Sequence, residues 1–208
     1  MRPKRPKRPG RRTAARRGLR ALLVLLSLGS MTSAGPGLVP EAAAQTSPEA
    51  LEARLRRDEA ELLHRRLELR GLRRLQGGAW KPAEAPFSRL LVVHIWAVEC
   101  KPCVEEMPLV RALLGGLRKF PVVQVAFVSE TADLGKLQAF IEQHRAELPQ
   151  TDFYQVDSDA VRQPLQNRAQ PLTLLLDERG VVRQAFVGSL RARRSELTQS
   201  IERYLKAL

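Results

Sequence analysis

Seven residues, Leu90–Trp96 (LLVVHIW), run into Cys100-Lys101-Pro102-Cys103, and this junction limits the fold more than any other feature of the chain. A run of that length, without polar alternation and with β-branched Val92 and Val93, predicts a strand buried on both faces. Lys101–Phe120 then reads as a helix, with Pro108 expected to kink it. A doubly buried strand feeding directly into a helix needs a covering layer on each side of a sheet, which points to an α/β domain. The two cysteines fall at the strand-to-helix mouth, and the sequence holds no others.

The pattern downstream agrees. Val122–Val128 reads as a second buried strand, Ala132–Arg145 as a helix, and Phe153–Val156 as a short strand with a helical turn after Asp157. Leu172–Leu176 and Val181–Val187 flank Asp177-Glu178-Arg179-Gly180, a hairpin loop in which Gly180 supplies a positive φ. Ser195–Leu208 closes the chain as a helix. With 208 residues, 44% of them hydrophobic, the chain can build one core but not two. The expected architecture is a central mixed β-sheet flanked by helices.

The net charge of +13 suggests a polyanion partner until its distribution is examined. Residues 1–20 carry ten of the 35 Lys and Arg and no acid, so the rest holds 25 basic against 22 acidic groups. This excess is local and argues against nucleic acid. Followed by ALLVLLSLG at 21–29, it reads instead as an export signal, with small-residue cleavage sites after Ala34 or Ala44. Residues 1–44 are accordingly expected to be a signal peptide and cleavage region, and the mature chain to be exported, in the periplasm. A membrane tether through the uncharged stretch 21–40 is the alternative, opposed by its Gly, Ser and Pro content. Arg16-Arg17-Gly18-Leu19 has the outline of a twin-arginine signal, but Arg20 stands where an apolar residue is wanted.

Residues 45–84 read as a linker and a charged amphipathic helix. Ser47-Pro48-Glu49 offers an N-cap, a proline for the first turn and an acid at the positive end of the dipole. The helix is expected to run to Leu75 and stop at Gly77-Gly78. Leu51, Leu55, Leu62, Leu69 and Leu72 form its apolar stripe, with Glu52/Arg56 and Glu61/Arg65 as i,i+4 pairs. Asp58 and Arg65 interrupt the stripe, which favours packing on the domain over a dimer or partner contact. Residues 85–208 make the main domain.

Three chemistries suit the cysteine pair: a redox centre, a metal clamp, or a structural disulfide. A stapling disulfide gains most by closing a long loop, and this pair closes almost none. A sulfur at a helix start meets free N–H groups and the positive end of the dipole, both of which favour thiolate. Lys101 adds a positive charge, and Pro102 suits the first turn. Cys103, one turn further in, is placed to attack a mixed disulfide formed by Cys100.

WAVECKPCVEEMP at 96–108, the strand before it, and AQPLTLLLDERG at 169–180 resemble the TlpA/ResA-like group of exported thiol–disulfide oxidoreductases with a thioredoxin-like fold. The resemblance spans roughly residues 85–208. It implies that Cys100 attacks and Cys103 resolves. Pro171 matches a cis-proline whose loop, with Gln170, faces the cysteines and pairs with a substrate strand. Glu106 matches an acid that tunes or relays protons near the pair, although an acid early in a helix also suits its dipole. Trp96 belongs to the same signature. The implied partners are protein disulfides or dithiols and an upstream redox donor, and no organic cofactor is called for.

The departures are specific. Glu99 replaces the usual aromatic before the first cysteine and opposes thiolate formation, with Lys101 as an offset. His94 replaces a buried acid or amide two residues before the tryptophan and reads either as a proton carrier or as a hydrogen-bonded core residue. The β-hairpin common before the first strand is not evident, its place being taken by the predicted helix. A copper or zinc chaperone using Cys100, Cys103 and a histidine competes with the redox reading, but related copper carriers space their cysteines one residue further apart, and His64 and His144 lie in predicted helices. A redox-idle interaction module is the third reading.

Overall fold

The computed structural model describes residues 47–148, 152–157 and 169–207, together with Asp159, Val161 and Leu165. The expected signal and cleavage region lies outside the described residues, as do parts of the turn expected after Asp157. The elements in order are α1 (Pro48–Leu62), β1 (Arg73–Gln76), β2 (Ala79–Pro82), β3 (Leu90–Trp96), α2 (Lys101–Gly115) with a 3-10 turn at Gly116–Lys119, β4 (Val123–Ser129), α3 (Leu134–Gln143), β5 (Phe153–Gln155), β6 (Leu172–Asp177), β7 (Val182–Val187) and α4 (Arg194–Lys206). Among the described residues no helix is long and apolar enough to cross a membrane.

The strands form one mixed seven-stranded sheet in the order β2-β1-β5-β4-β3-β6-β7. β3 is central, parallel to β4 and antiparallel to β6, and all seven of its residues are buried. Its pleat divides the core: Leu91, Val93 and Ile95 enter one layer with Leu62 of α1, while Leu90, Val92 and Trp96 enter the other with residues of α2, α3 and α4. The β6–β7 hairpin turns at Gly180, whose φ is 75°. A Cβ there would lie 2.9 Å from the Leu67 carbonyl oxygen, so both conformation and space require glycine.

The stretch before β3 differs from expectation. α1 starts as predicted, with the Ser47 side chain accepting the Ala50 N–H, but it ends at Leu62 rather than Leu75. His64 takes a φ of 66°, and residues 64–67 run along the edge of β7: His64 N–H donates to the Val182 carbonyl at 2.9 Å, Val182 N–H to Arg65 at 2.8 Å and Leu67 N–H to Gly180 at 2.8 Å. These bonds cover an otherwise open strand edge and outweigh continued helix. The hairpin thought absent is present as β1–β2, turning at Gly77 and Gly78 with φ of 58° and 80°. Gly-Gly between two short strand-compatible stretches is a hairpin signal; the leucine spacing at Leu69 and Leu72 hid it.

α1 packs on the domain, as favoured from the sequence. Leu62 is fully buried, and Glu59 is 5% exposed, whereas Leu51 is 53% exposed and drops out of the stripe. Arg56 pairs with Glu52 at 3.7 Å, while Arg65 Nε donates to the Glu61 backbone carbonyl.

Candidate active site

The chain leaves β3 at Trp96, crosses Ala97–Glu99 and enters α2 with Cys100 as its N-cap. The Cys100 Sγ accepts the Cys103 N–H at 3.3 Å. This is the position in which an unsatisfied helix N–H and the dipole both favour a thiolate. Cys100 is joined to Cys103 by a disulfide. Cys100 is half-buried and Cys103 completely buried, so one sulfur meets solvent and the other lies behind it. Pro102 occupies the first turn of α2. Lys101 points outward to Glu105 at 3.7 Å, its side chain 86% exposed.

Trp96 is fully buried against Phe140 and Phe153, with ring centroids 5.4 and 6.1 Å away. Its carbonyl accepts the Glu130 N–H. The Gln170–Pro171 bond is cis; the Pro171 carbonyl accepts the Gly188 N–H at 2.8 Å, and the Gln170 side-chain amide donates to Glu130. Glu130, at the end of β4, thus ties the proline loop to the strand beside β3.

Glu99 is answered by a cation that the sequence did not single out. Its carboxylate accepts Lys136 Nζ at 2.7 Å and Thr131 Oγ1 at 3.1 Å. The Lys136 hydrogen bond is the main reason its pKa lies below the ordinary value. Lys101, expected to offset Glu99, pairs with Glu105 one turn along its own helix instead.

Glu106 lies in the second turn of α2, 1% exposed. Its carboxylate does not serve the first-turn N–H groups of its own helix, which removes the dipole reading. Oε2 instead accepts the Ser189 hydroxyl and the Leu190 N–H, the latter at 3.0 Å, while Oε1 has no partner. Burial raises its pKa, and the two donors and Arg191 oppose that rise. Three residues after Cys103 on the same helix, it is one turn from that cysteine.

His94 shares the β3 face of Trp96 and is completely buried. Its Nδ1 lies 2.9 Å from Thr173 Oγ1, its cross-strand partner on β6, while Nε2 has no partner. Burial lowers its pKa to about 3, so the imidazole is neutral at physiological pH and cannot carry a proton as imidazolium. This favours the core reading. His144 lies beside Glu147 at 3.3 Å, and among the described residues no group of three or more His, Cys, Asp or Glu could hold a metal ion.

Sequence reasoning missed Thr131, Lys136, Ser189 and Thr173, polar residues in loops, a helix and a strand whose relevance arises only from what they face. Fold and site together define a thioredoxin-fold protein with a Cys-x-x-Cys pair at its helix mouth.

No protein-family model matches the chain. Thioredoxin-like protein YneN of Bacillus subtilis is 28% identical over 107 residues, covering 51% of this chain and 61% of that protein. The match thus spans less than two thirds of that relative. Among solved structures, one named for the thiol:disulfide interchange protein DsbE, from Chlorobium tepidum, aligns with a TM-score of 0.55 at 19% identity, over 69% of this chain and 99% of that one. A domain from Cytophaga hutchinsonii named as a possible thiol-disulfide isomerase gives 0.52 at 17% identity, over 70% and 95%. An uncharacterized thioredoxin-like protein from Porphyromonas gingivalis gives 0.51 at 15% identity, over 69% and 94%. The chain has a thioredoxin-like fold and is similar in sequence to a thioredoxin-like protein, which is consistent with the TlpA/ResA-like resemblance read from the residues.

Proposed function

We propose that the chain is an exported thiol–disulfide oxidoreductase that reduces protein disulfides. The observation that carries this reading is the placement of the two sulfurs: Cys100 half-buried at the N-cap of α2, accepting an N–H, and Cys103 buried one turn behind. The Cys100 thiolate attacks one sulfur of a substrate disulfide, forming a mixed disulfide and releasing the other as a thiolate. Cys103 then loses its proton and attacks the Cys100 sulfur. This restores the Cys100–Cys103 disulfide and frees the second substrate sulfur. Two electrons pass to the substrate, and its two thiolates take up protons. An upstream thiol donor returns the pair to the dithiol.

Glu106 would accept the Cys103 proton, a role supported by its pKa, raised by burial, and by a carboxylate oxygen without a partner. The substrate would lie as an extended strand against Gln170–Pro171. The reductive direction is supported by Glu106, whose carboxylate one turn from Cys103 disfavours a thiolate there, and a pair whose reduced form is not stabilised is a poor oxidant. The basic and apolar character of residues 1–44 supports export.

Replacing Cys103 with Ser tests the reading. The variant should accumulate mixed disulfides through Cys100, separable on non-reducing gels and lost when Cys100 is also replaced. If no adducts form with any protein disulfide, the chain is an interaction module rather than an oxidoreductase.

A further inference from the structure

The loop leaving β7 is held from three sides. Gly188 N–H donates to the Pro171 carbonyl, and Ser189 and Leu190 donate to Glu106. The third hold comes from α1, which lies far from the cysteines in sequence. Glu59 Oε1 accepts the Val187 N–H at 2.9 Å, and its two oxygens take the two terminal nitrogens of Arg193, Oε2 at 3.0 Å. Residues 187 and 193 bracket the loop, so one buried carboxylate grips both its ends. Arg193 also lies over the Phe186 ring at 4.8 Å and pairs with Glu196. Glu196 in turn binds Arg56 of α1.

A buried Glu–Arg pair adds little net stability compared with apolar residues of the same volume, because both charges lose their hydration. What such a pair supplies is geometry: two parallel charge-assisted bonds fix position and angle together. Here the fixed segment carries both donors to the Glu106 carboxylate.

We propose that Glu59 and Arg193 are positioning residues of the redox site: α1 clamps the 187–193 loop, and through Ser189 and Leu190 the loop sets the charge state of Glu106. This deepens the oxidoreductase reading and rests on it for its consequence, but the geometric claim stands on its own. Arg191 on the loop is the charged group that bears on Glu106, while Lys101 and Glu105 of its own helix pair with each other at the surface. His94 on the facing strand is neutral. The bonded route from Glu59 to Glu106 therefore runs through the loop, and because loss of the Glu59 charge acting through space would lower the Glu106 midpoint, a rise identifies the loop.

The test is a carbon-13 NMR titration of the Glu106 carboxyl in the full chain, in its disulfide form, with Glu106→Gln to assign the signal. Ser189→Ala removes one donor and should raise the Glu106 midpoint by about one pH unit, the scale of one hydrogen bond to a carboxylate. Glu59→Gln keeps an acceptor for Val187 but loses the charge that holds Arg193; it should raise the midpoint in the same direction by less. The double variant should shift by less than the two single shifts added, because both act on one contact. An unmoved midpoint in Glu59→Gln, or fully additive shifts, overturns the proposal. So does an equal shift in Leu62→Ala at matched loss of Tm, which would make the effect one of stability. The titration needs no turnover, so failure of the oxidoreductase reading would appear separately, as a pair that does not form mixed disulfides.

Discussion

Replacing Lys136 with Met isolates the cost of an acid beside the attacking cysteine. At 2.7 Å the Lys136–Glu99 attraction is about 1.5 kcal/mol in a medium like water. Both side chains are half exposed, at 50% and 52%, so side-chain entropy and salt reduce the net effect to about 0.2–1 kcal/mol. Glu99 is the covalent neighbour of Cys100, and once unpaired its charge bears on the Cys100 thiolate. At about 1.4 kcal/mol per pH unit, the Cys100 midpoint should rise by at most roughly 0.7 unit, a loss of up to about fivefold in thiolate near neutral pH. The assay is the pH dependence of alkylation of reduced protein at low salt. Added salt should shrink the shift by screening, and Glu99→Gln in the same chain should abolish it. A Lys136→Met profile that overlays the wild type at low salt would refute the view that Lys136 neutralises Glu99 on behalf of Cys100.

Glu106→Gln should raise Tm at neutral pH, because a carboxyl whose folded pKa lies above its unfolded one destabilises the fold when charged; the gain should fade in acid, where Glu106 itself is protonated. Glu196 has the opposite sign: its hydrogen bonds from Arg193 and then Arg56 lower its pKa from 4.5 to about 2. The stabilisation it gives α1 is therefore complete above about pH 4.5 and lost as the pH falls through about 2, which hydrogen exchange of α1 amides would follow. Leu62→Ala, at a fully buried position, should cost about 2–5 kcal/mol in denaturant unfolding. Leu51→Ala, at a position 53% exposed, should stay within about 0.5 kcal/mol.

The sheet was legible because β3, β4, β6 and β7 are short apolar runs bounded by turn residues, and the strand-to-helix mouth because Cys100-x-x-Cys103 sits on that boundary. The cis bond at Gln170–Pro171 was legible only through resemblance, since nothing local distinguishes it. The end of α1 was not legible: no Gly or Pro marks Leu62, and the helix stops because residues 64–67 gain the open edge of β7. The partners of Glu99 and Glu106 were hidden for a related reason. Lys136 is 37 residues from Glu99 and Ser189 is 83 from Glu106, so only the folded chain brings them together. His94 was visible as an oddity, but its neutrality depends on complete burial, which the strand pattern implied and the structure shows.

The central claim is that Cys100 and Cys103 form a reducing redox pair, and the measurement that tests it most directly is their reduction potential. The protein would be equilibrated in glutathione or dithiothreitol buffers and its thiols trapped. The account predicts a value near that of thioredoxin, roughly −270 mV, or lower. A value near about −120 mV, that of a strong oxidant, would contradict it, as would a pair that cannot be cycled.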